Sequence, residues 1–333
     1  MILKIISERI AKLYSRSKTP VTQERAQAIV HHVFGRRASL LNFSELTDGY
    51  FNAAYQLELT DGQMCVLKVA PPDNIRVLRY EKGIMQAEVE AIRLVRQYTQ
   101  VPAPEIFAHD RSRQIISSDY FVMSFLPGVP LNKVRKDLTA EQNAAMDRQA
   151  GIYLRQMNTI RGACFGALSQ PERQFDSWRS ACDALLRDVL QDGQDLHVHL
   201  PLPYDEIYLL LSRHYAALDE VTAPSLVHWD LWDGNIFLDP ETKSITGIID
   251  FERALWGDPL MEANFVFWQN SQAFTEGYGT PMLDTPARRT RRLLYNVYLW
   301  LIMVIECYYR EYENDHQEKW AREQLARDLN LLK

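Results

Sequence analysis

The sequence predicts an α+β protein with two lobes, a small N-terminal lobe built on an antiparallel sheet and a larger, mainly helical C-terminal lobe. Strand-like runs fill the first part of the chain and helical patterns the second, and Pro127-Gly128 interrupts the pattern between them. We therefore expect a boundary between residues 1–127 and residues 128–333. A chain of 333 residues is long enough for two such units of about 150 residues each.

The N-terminal lobe is expected to begin with two helices. Apolar residues recur at helical spacing over residues 2–13, and Pro20 ends that segment. Thr22 is a suitable N-cap for a second helix over residues 23–34, which Gly35 terminates.

Beyond residue 40 the period changes to that of strands. Asp61-Gly62 is a strong hairpin signal between two of them. A helix over about residues 80–98 is apolar on one side and separates the third strand from the fourth. The predicted strands are 40–46, 53–59, 63–70, 105–110 and 120–126.

The second lobe is predicted to be mostly helical over residues 139–218, with a loop at 165–173. A further helix is expected to run from Asp258-Pro259 through Phe267. Residues 288–309 form another, and its second half is apolar on nearly all sides, so it should be buried.

Residues 227–252 are the most informative segment and read VHWDLWDGNIFLDPETKSITGIIDFE. His228, Asp230 and Asn235 follow the order H-x-D-x-x-x-x-N, and Asp250 comes after a predicted strand pair. Taken singly, each is typical of a turn or a helix cap. Their combined spacing supplies a carboxylate that can accept a hydroxyl proton and two further oxygen ligands for Mg²⁺, as phosphoryl transfer requires.

This segment resembles the catalytic and metal loops of the aminoglycoside phosphotransferase and choline kinase-like group, the small-molecule branch of the protein-kinase-like fold. The tetrapeptide I-D-F-E at 249–252 is closer to that group than to the D-F-G of protein kinases. Trp232 stands where protein kinases of the Ser/Thr type carry a Lys. Trp229 and Asp233 depart from the residues usual in the group, and we expect them to reshape the acceptor pocket.

The resemblance implies transfer of the γ-phosphoryl of ATP or GTP to a hydroxyl of a small molecule. It makes Asp230 the candidate base, and Asn235 and Asp250 the candidate Mg²⁺ ligands. Aminoglycosides, choline or ethanolamine, amino-sugars, macrolides and homoserine all remain open as acceptors.

Lys68 lies in the strand V-L-K-V-A at 66–70, where a Lys is costly unless it is paired. It resembles the kinase strand Lys that contacts the α- and β-phosphates. Glu88 is the preferred partner, with Glu81 and Glu90 as alternatives. The competing interpretation is an edge-strand Lys that points to solvent.

Two further segments are expected to bind the nucleotide. Gly49 and Asn52 belong to a reduced phosphate loop, which taken alone would be an ordinary hairpin turn. Residues 121–128 resemble the hinge that links the lobes, and there Ser124 and Leu126 are expected to offer the backbone carbonyl and N–H to the base.

On the acceptor side the residues allow two interpretations. Asp258 and Glu262 either lie near the acceptor or brace the catalytic loop through its backbone, and we favour the second. His228 is either a proton shuttle or, as we favour, a structural residue. Residues 288–292, rich in Arg, are expected to be a solvated helix start.

Aromatic and acidic side chains offer weaker signals for an acceptor pocket. Tryptophans near the site suit a cationic or sugar ligand, although most tryptophans are core residues. Acidic residues near the C-terminal end of the sequence could line a pocket for a polyamine, or they are the solvated end of a helix. The tryptophans are Trp229, Trp232, Trp256 and Trp268, and the acids are Glu306, Glu311, Glu313 and Asp315.

Composition excludes several other classes. The net charge of −6 argues against a nucleic-acid partner. The four cysteines form no C-x-x-C pair, so neither a zinc site nor a disulfide framework is indicated. Charges at Lys4, Glu8 and Arg9 interrupt a signal-peptide core, and the apolar run 297–305 is too short to span a membrane. We therefore expect a cytoplasmic protein with no membrane partner.

Two functional classes follow. The first is a small-molecule kinase. The second is a catalytically silent kinase-like protein that binds nucleotide or serves as a scaffold, for which loss of the base, a metal ligand or the strand Lys would be the signature. None is lost in this sequence. A protein-kinase role is disfavoured by Trp232 and by the lack of an A-P-E-like tract.

Overall fold

The computed structural model of the chain describes residues 18–47, 51–262, 271–280, 284–312 and 314–333. Within these ranges the helices are α1 (Gln23–Phe34), α2 (Ile84–Tyr98), α3 (Leu131–Val134), α4 (Ala140–Thr159), α5 (Trp178–Asp195), α6 (Tyr204–Ser212), α7 (Gln272–Tyr278), α8 (Pro286–Arg310) and α9 (His316–Leu331). The strands are β1 (Leu40–Leu46), β2 (Ala53–Leu59), β3 (Met64–Val69), β4 (Ile106–Asp110), β5 (Tyr120–Ser124), β6 (Val129–Pro130), β7 (Gly166–Ala167), β8 (Ser225–Val227), β9 (Ile236–Leu238), β10 (Ile245–Ile248) and β11 (Leu255–Gly257).

An antiparallel sheet in the order β1-β2-β3-β5-β4 forms the N-terminal lobe. The five strands predicted from the alternating pattern are confirmed, with ends that differ by two residues or fewer. Thr22 caps α1, because its Oγ1 accepts a hydrogen bond from the Arg25 N–H at 3.3 Å. The helix predicted over residues 2–13 lies outside the described residues.

The helix predicted from residue 80 begins later than expected. Arg79–Glu81 is a separate 3₁₀ turn, and α2 starts at Ile84. Gly83 between them has a φ of 74°, a left-handed conformation that favours glycine and interrupts the helix. The buried face of α2 carries Glu88 among apolar side chains, so this helix presents one carboxylate to the interior.

Two small sheets organise the C-terminal lobe. One has the order β10-β9-β6, and its antiparallel β9–β10 pair is the strand pair predicted between Asn235 and Asp250. The other has the order β7-β11-β8 and leads from β8 directly into the catalytic segment. Helices α4, α5 and α8 contribute to one continuous core beneath them, which includes the buried Trp178 and Trp300.

The helix expected from Asp258-Pro259 is wrong within the described residues. Pro259–Met261 forms a single 3₁₀ turn, which ends at Glu262, and Phe267 lies outside the described residues. The Asp258 side chain caps this turn by accepting a hydrogen bond from the Leu260 N–H at 3.1 Å.

Helix α8 is buried along most of its length, as predicted, and its start is solvated only in part. Arg289 is exposed and Arg288 half-exposed, whereas Arg291 and Arg292 are each 5% exposed. Arg291 Nε donates to Asp258 Oδ2 at 2.9 Å, and Arg292 Nη1 donates to the Glu262 carbonyl at 2.7 Å. The expectation therefore holds for the first turn and is wrong for Arg291 and Arg292, because these oxygen atoms lie opposite the second turn of the helix. No helix in the described ranges has the length and apolar character required to cross a membrane.

Candidate active site

The catalytic segment leaves β8 through a constrained backbone. Trp229 has a φ of 60°, which is unfavourable for a bulky residue unless its surroundings hold it. Glu262 provides that support, because its two carboxylate oxygens accept hydrogen bonds from the His228 and Trp229 N–H groups, both at 2.8 Å. The bracing role predicted for this tract is therefore confirmed for Glu262. Asp258 instead binds Arg291 and Tyr295.

His228 is structural, as favoured from the sequence. Its Nδ1 accepts a hydrogen bond from the Asp230 N–H at 3.2 Å, so Nε2 carries the proton and donates to the Ile249 carbonyl at 3.1 Å. Burial lowers the pKa of His228 to about 4, which keeps the ring neutral. The histidine thus ties the segment of Asp230 to the segment of Asp250.

Asp230 and Asn235 are neighbours. Asn235 Nδ2 donates to the Asp230 carbonyl at 2.8 Å and lies 3.3 Å from Asp230 Oδ2. This leaves the Asn235 Oδ1 as the end of the amide that is free to accept. Burial raises the pKa of the Asp230 carboxyl to about 7, and Arg253 partly offsets the effect of burial. A carboxyl with this pKa is matched to proton transfer near neutral pH.

Lys68 joins the two lobes. Its Nζ lies 2.9 Å and 2.8 Å from the two Glu88 oxygens and 2.7 Å from Asp250 Oδ1. The predicted Lys68–Glu88 pair is confirmed; Glu81 binds Arg310 instead, and Glu90 is exposed. Burial alone would lower the pKa of Lys68, but the facing Asp250 and Glu88 carboxylates raise it well above its ordinary value.

Asp250 lies at the start of a 3₁₀ turn with a φ of 68°, a conformation that Asp tolerates better than most residues. Burial opposes its ionisation, but the charge and hydrogen bond of Lys68 outweigh that effect, and the pKa of Asp250 is lowered. This carboxylate is therefore ionised and can act as a ligand for a cation.

Glu252 is a site residue that the sequence interpretation missed. Its Oε2 accepts a hydrogen bond from Asn52 Nδ2 at 2.7 Å and lies 3.6 Å from Lys68 Nζ. The carboxylate oxygens of Glu88, Asp250 and Glu252 lie within 4.8 Å of one another. The position of Glu252 in the sequence, two residues after Asp250, was the signal that could have identified it as a site residue.

The predicted phosphate loop is described only in part. Gly49 lies outside the described residues. Asn52 is buried against Glu252, and the Phe51 ring centroid lies 5.4 Å from the Arg310 Cζ. Both residues therefore contact the C-terminal lobe.

The predicted hinge follows β5. The Ser124 N–H donates to the Glu105 carbonyl at 2.8 Å, and its Oγ accepts from the Glu105 N–H at 2.9 Å. Leu126 packs directly on Gly247 of β10, where a Cβ atom would overlap the Leu126 side chain. Contacts of Ser124 and Leu126 with a nucleotide base remain predictions.

A chain of charges occupies the acceptor side. Glu306 is 4% exposed and lies 3.6 Å from Arg253 and 3.4 Å from Arg310, so it is not the solvated helix end that the sequence allowed. Arg253 also lies over the rings of Tyr80 and Trp229, at 5.7 Å and 5.8 Å from their centroids. The Arg253 guanidinium therefore already makes a cation–π contact with Trp229.

The tryptophans serve mainly as core residues. Trp229 stacks on Tyr298 with ring centroids 5.4 Å apart, and Trp256 is buried against Gly162. Trp232 is half-buried and lies against Gly234. Trp268 lies outside the described residues. Asp233, the other departure from the family pattern, accepts a hydrogen bond from Arg135 Nη2 at 2.8 Å.

A cavity of about 760 Å³ opens beside the phosphate loop. Phe51, Asn52 and the start of α2 line it together with Arg79 and Asp192. Its described lining does not include Lys68, Asp230, Asn235 or Asp250. Its volume is that of a site for a small molecule.

Comparison with known proteins shows the family of the chain. The model of the phosphotransferase enzyme family matches residues 42–294. Over 237 residues the chain is 22% identical to a probable acyl-CoA dehydrogenase of Arabidopsis thaliana, and the match covers 70% of this chain but only 28% of that protein. Over 259 residues it is 27% identical to a probable ketoamine kinase of Vibrio vulnificus, with coverage of 76% and 82%.

A solved structure shares the fold. It is a thermostable mutant of an aminoglycoside phosphotransferase in ternary complex with AMP-PNP and hygromycin B. The TM-score is 0.59 at 19% identity, and the superposition covers 91% of this chain and 97% of that one. The two-lobed, protein-kinase-like fold predicted from the sequence is therefore confirmed.

Proposed function

This chain belongs to the phosphotransferase enzyme family and is a small-molecule kinase, and we propose that it moves the γ-phosphoryl group of ATP or GTP to a hydroxyl of its acceptor. The observation that carries the proposal is a set of contacts that links Asp230, Asn235, Lys68 and Asp250. Asn235 lies beside Asp230, Lys68 bonds Asp250, and His228 ties the two segments together.

Asp230 is the proposed base. It would accept the proton of the acceptor hydroxyl while the hydroxyl oxygen bonds to the γ-phosphorus and the bond from that phosphorus to the β–γ bridging oxygen breaks, so that ADP or GDP leaves. Its raised pKa supports this role, because the carboxyl can take up that proton near neutral pH. The bracing of the loop by Glu262 supports it too, because positioning supplies much of the rate in phosphoryl transfer.

Asn235 and Asp250 are the proposed ligands of Mg²⁺. The donor set fits, because an amide oxygen and an ionised carboxylate are hard oxygen ligands, and the Asn235 Nδ2 is already engaged by Asp230. When bound, Mg²⁺ would neutralise charge on the phosphates. Lys68, held by Glu88, would contact the phosphates from the N-terminal lobe.

The remaining nucleotide contacts are proposed by analogy with the family. Gly49 and Asn52 would face the phosphates, and Ser124 and Leu126 would face the base. We propose the lobe boundary at Pro127-Gly128, since β5 ends the first sheet at Ser124 and β6 joins the second sheet at Val129.

The acceptor is proposed to be an amine-bearing sugar derivative. The ketoamine kinase relative and the hygromycin B complex support this class. The silent kinase-like alternative is not favoured, because Asp230, Asn235, Asp250 and Lys68 are all in place.

The test is Mg²⁺-dependent consumption of ATP and GTP with an acceptor panel that includes a ketoamine and an aminoglycoside, with mass-spectrometric analysis of the products. A product heavier than its acceptor by one phosphoryl group supports the proposal. Nucleotide binding without phosphorylation of any acceptor would favour the silent alternative.

A further inference from the structure

The hydrogen bond between Asn52 and Glu252 joins segments that are 200 residues apart in the sequence. Asn52 immediately precedes β2, in the predicted phosphate loop, whereas Glu252 lies in the 3₁₀ turn that follows Asp250. The bond therefore links the edge of the N-terminal lobe to the metal loop of the C-terminal lobe.

Both partners are shielded from water, which strengthens the bond. Asn52 is 3% exposed, and the Glu252 side chain is 11% exposed. Because water cannot replace either partner there, loss of the bond would leave a buried polar group unpaired. Phe51, the preceding residue, also contacts the C-terminal lobe through Arg310, so two consecutive residues immediately before β2 are linked to that lobe.

Glu252 could alternatively be a metal ligand, because it lies close to Glu88 and Asp250. The state of Asn52 argues against that role. The Asn52 Oδ1 is buried and has no hydrogen-bond partner among the described residues. If Glu252 turned to a cation, the Asn52 Nδ2 would lose its partner as well, and a buried amide with both ends unpaired is costly.

We propose that Glu252 is a positioning residue, which holds the phosphate loop against the cleft through Asn52 and thereby sets the affinity for the nucleotide. This inference rests on the proposed function, because it takes the cleft as the nucleotide site. It requires from Glu252 only a hydrogen-bond acceptor, whereas a metal ligand would require its negative charge.

The test compares Glu252→Ala, Glu252→Gln, Asn52→Ala and the double alanine variant. Binding of AMP-PNP with Mg²⁺, or of its guanine counterpart if the wild type prefers it, is measured by calorimetry, and thermal unfolding verifies that each variant is folded. We expect each alanine variant to bind about 10-fold more weakly, as for the loss of one hydrogen bond that leaves its buried partner unpaired.

The double variant should bind no more weakly than either single variant, because both remove the same bond. Glu252→Gln keeps an acceptor for the Asn52 amide and should stay within about 3-fold of the wild type. The Mg²⁺ concentration for half-maximal nucleotide binding should not change in any variant.

Three results would overturn the inference. A Glu252→Gln variant as weak as Glu252→Ala, with a raised Mg²⁺ requirement in both, would make Glu252 a metal ligand. Additive losses in the double variant would mean that the two residues act independently, and unchanged affinity in Asn52→Ala would mean that the bond does not position the loop. If Glu252→Ala does not fold, the nucleotide affinities of Asn52→Ala and Glu252→Gln still decide whether Glu252 is a positioning residue. Failure of the wild type to bind either nucleotide would instead contradict the proposed function.

Discussion

Lys68 and Asp250 are 182 residues apart in the sequence, yet the Lys68 Nζ lies 2.7 Å from the Asp250 Oδ1. Lys68 belongs to the sheet of the N-terminal lobe, and Asp250 follows β10 of the C-terminal lobe. The ion pair therefore brings the proposed phosphate-binding group and a proposed metal ligand to the same point between the lobes. Its charges also belong to the proposed chemistry, so stability and activity should depend on them together.

Replacement of Lys68 by Met should reduce both activity and stability. The variant leaves Glu88 and Asp250 without their cation, and removal of one partner of a buried pair costs about 3 kcal/mol in the free energy of unfolding. Loss of the charge next to the phosphates should lower kcat by about 100-fold or more. Denaturant unfolding and steady-state kinetics measure these effects. Lys319→Met is the matched control, because Lys319 is exposed, and a Lys68→Met enzyme with wild-type kcat would exclude the assigned role.

Replacement of Glu262 by Ala should destabilise the protein through the catalytic loop. The variant leaves the buried N–H groups of His228 and Trp229 without acceptors, which should lower the free energy of unfolding by about 3 kcal/mol. Urea unfolding measures this change in the free energy of unfolding. Glu276→Ala removes an exposed carboxylate paired with Arg148 and should change the stability by less than about 1 kcal/mol. Equal effects of the two substitutions would mean that Glu262 does not brace the loop.

The Glu262 carboxyl should also make the stability of the protein depend on pH. Burial raises the pKa of Glu262 from 4.5 to about 7 in the folded protein, so between these values the folded state holds a proton that the unfolded state releases. This contribution is complete below about pH 4.5 and is lost as the pH rises through about 7. From pH 5 to pH 8 the wild type should lose roughly 3 kcal/mol relative to Glu262→Gln, which cannot titrate. Parallel stability curves for the two proteins would contradict this shift.

Local patterns explain which parts of the fold were predictable. Alternation of apolar and polar residues marked β1 to β5, and Thr22 and Gly35 marked the ends of α1. The start of α2 was misjudged because its helical periodicity extends back to Tyr80, whereas the left-handed Gly83 breaks the helix. Periodicity reports which residues face the core, and it is insensitive to a single residue that redirects the chain.

The same distinction applies to the site, where some contacts could be predicted from local sequence patterns and others depend on how distant segments pack. The pairing of Lys68 with Glu88 followed from a strand Lys and a helix Glu 20 residues later. The contacts of Asn52 with Glu252 and of Arg253 with Glu306 depend on how the lobes and α8 pack, and no spacing in the sequence encodes them. The solvated start predicted for α8 is wrong at Arg291 and Arg292 for the same reason, because the oxygens that bind these two residues come from a distant turn.

The rate of phosphoryl transfer by Asp230→Asn decides whether Asp230 is the base. Asn keeps the size of the side chain but cannot accept the hydroxyl proton, so we expect kcat to fall by about 10²- to 10⁴-fold while nucleotide affinity is retained. Asp205→Asn, at an exposed position on α6, is the control and should keep wild-type activity. An Asp230→Asn enzyme that phosphorylates its acceptor at the wild-type rate would exclude Asp230 as the base.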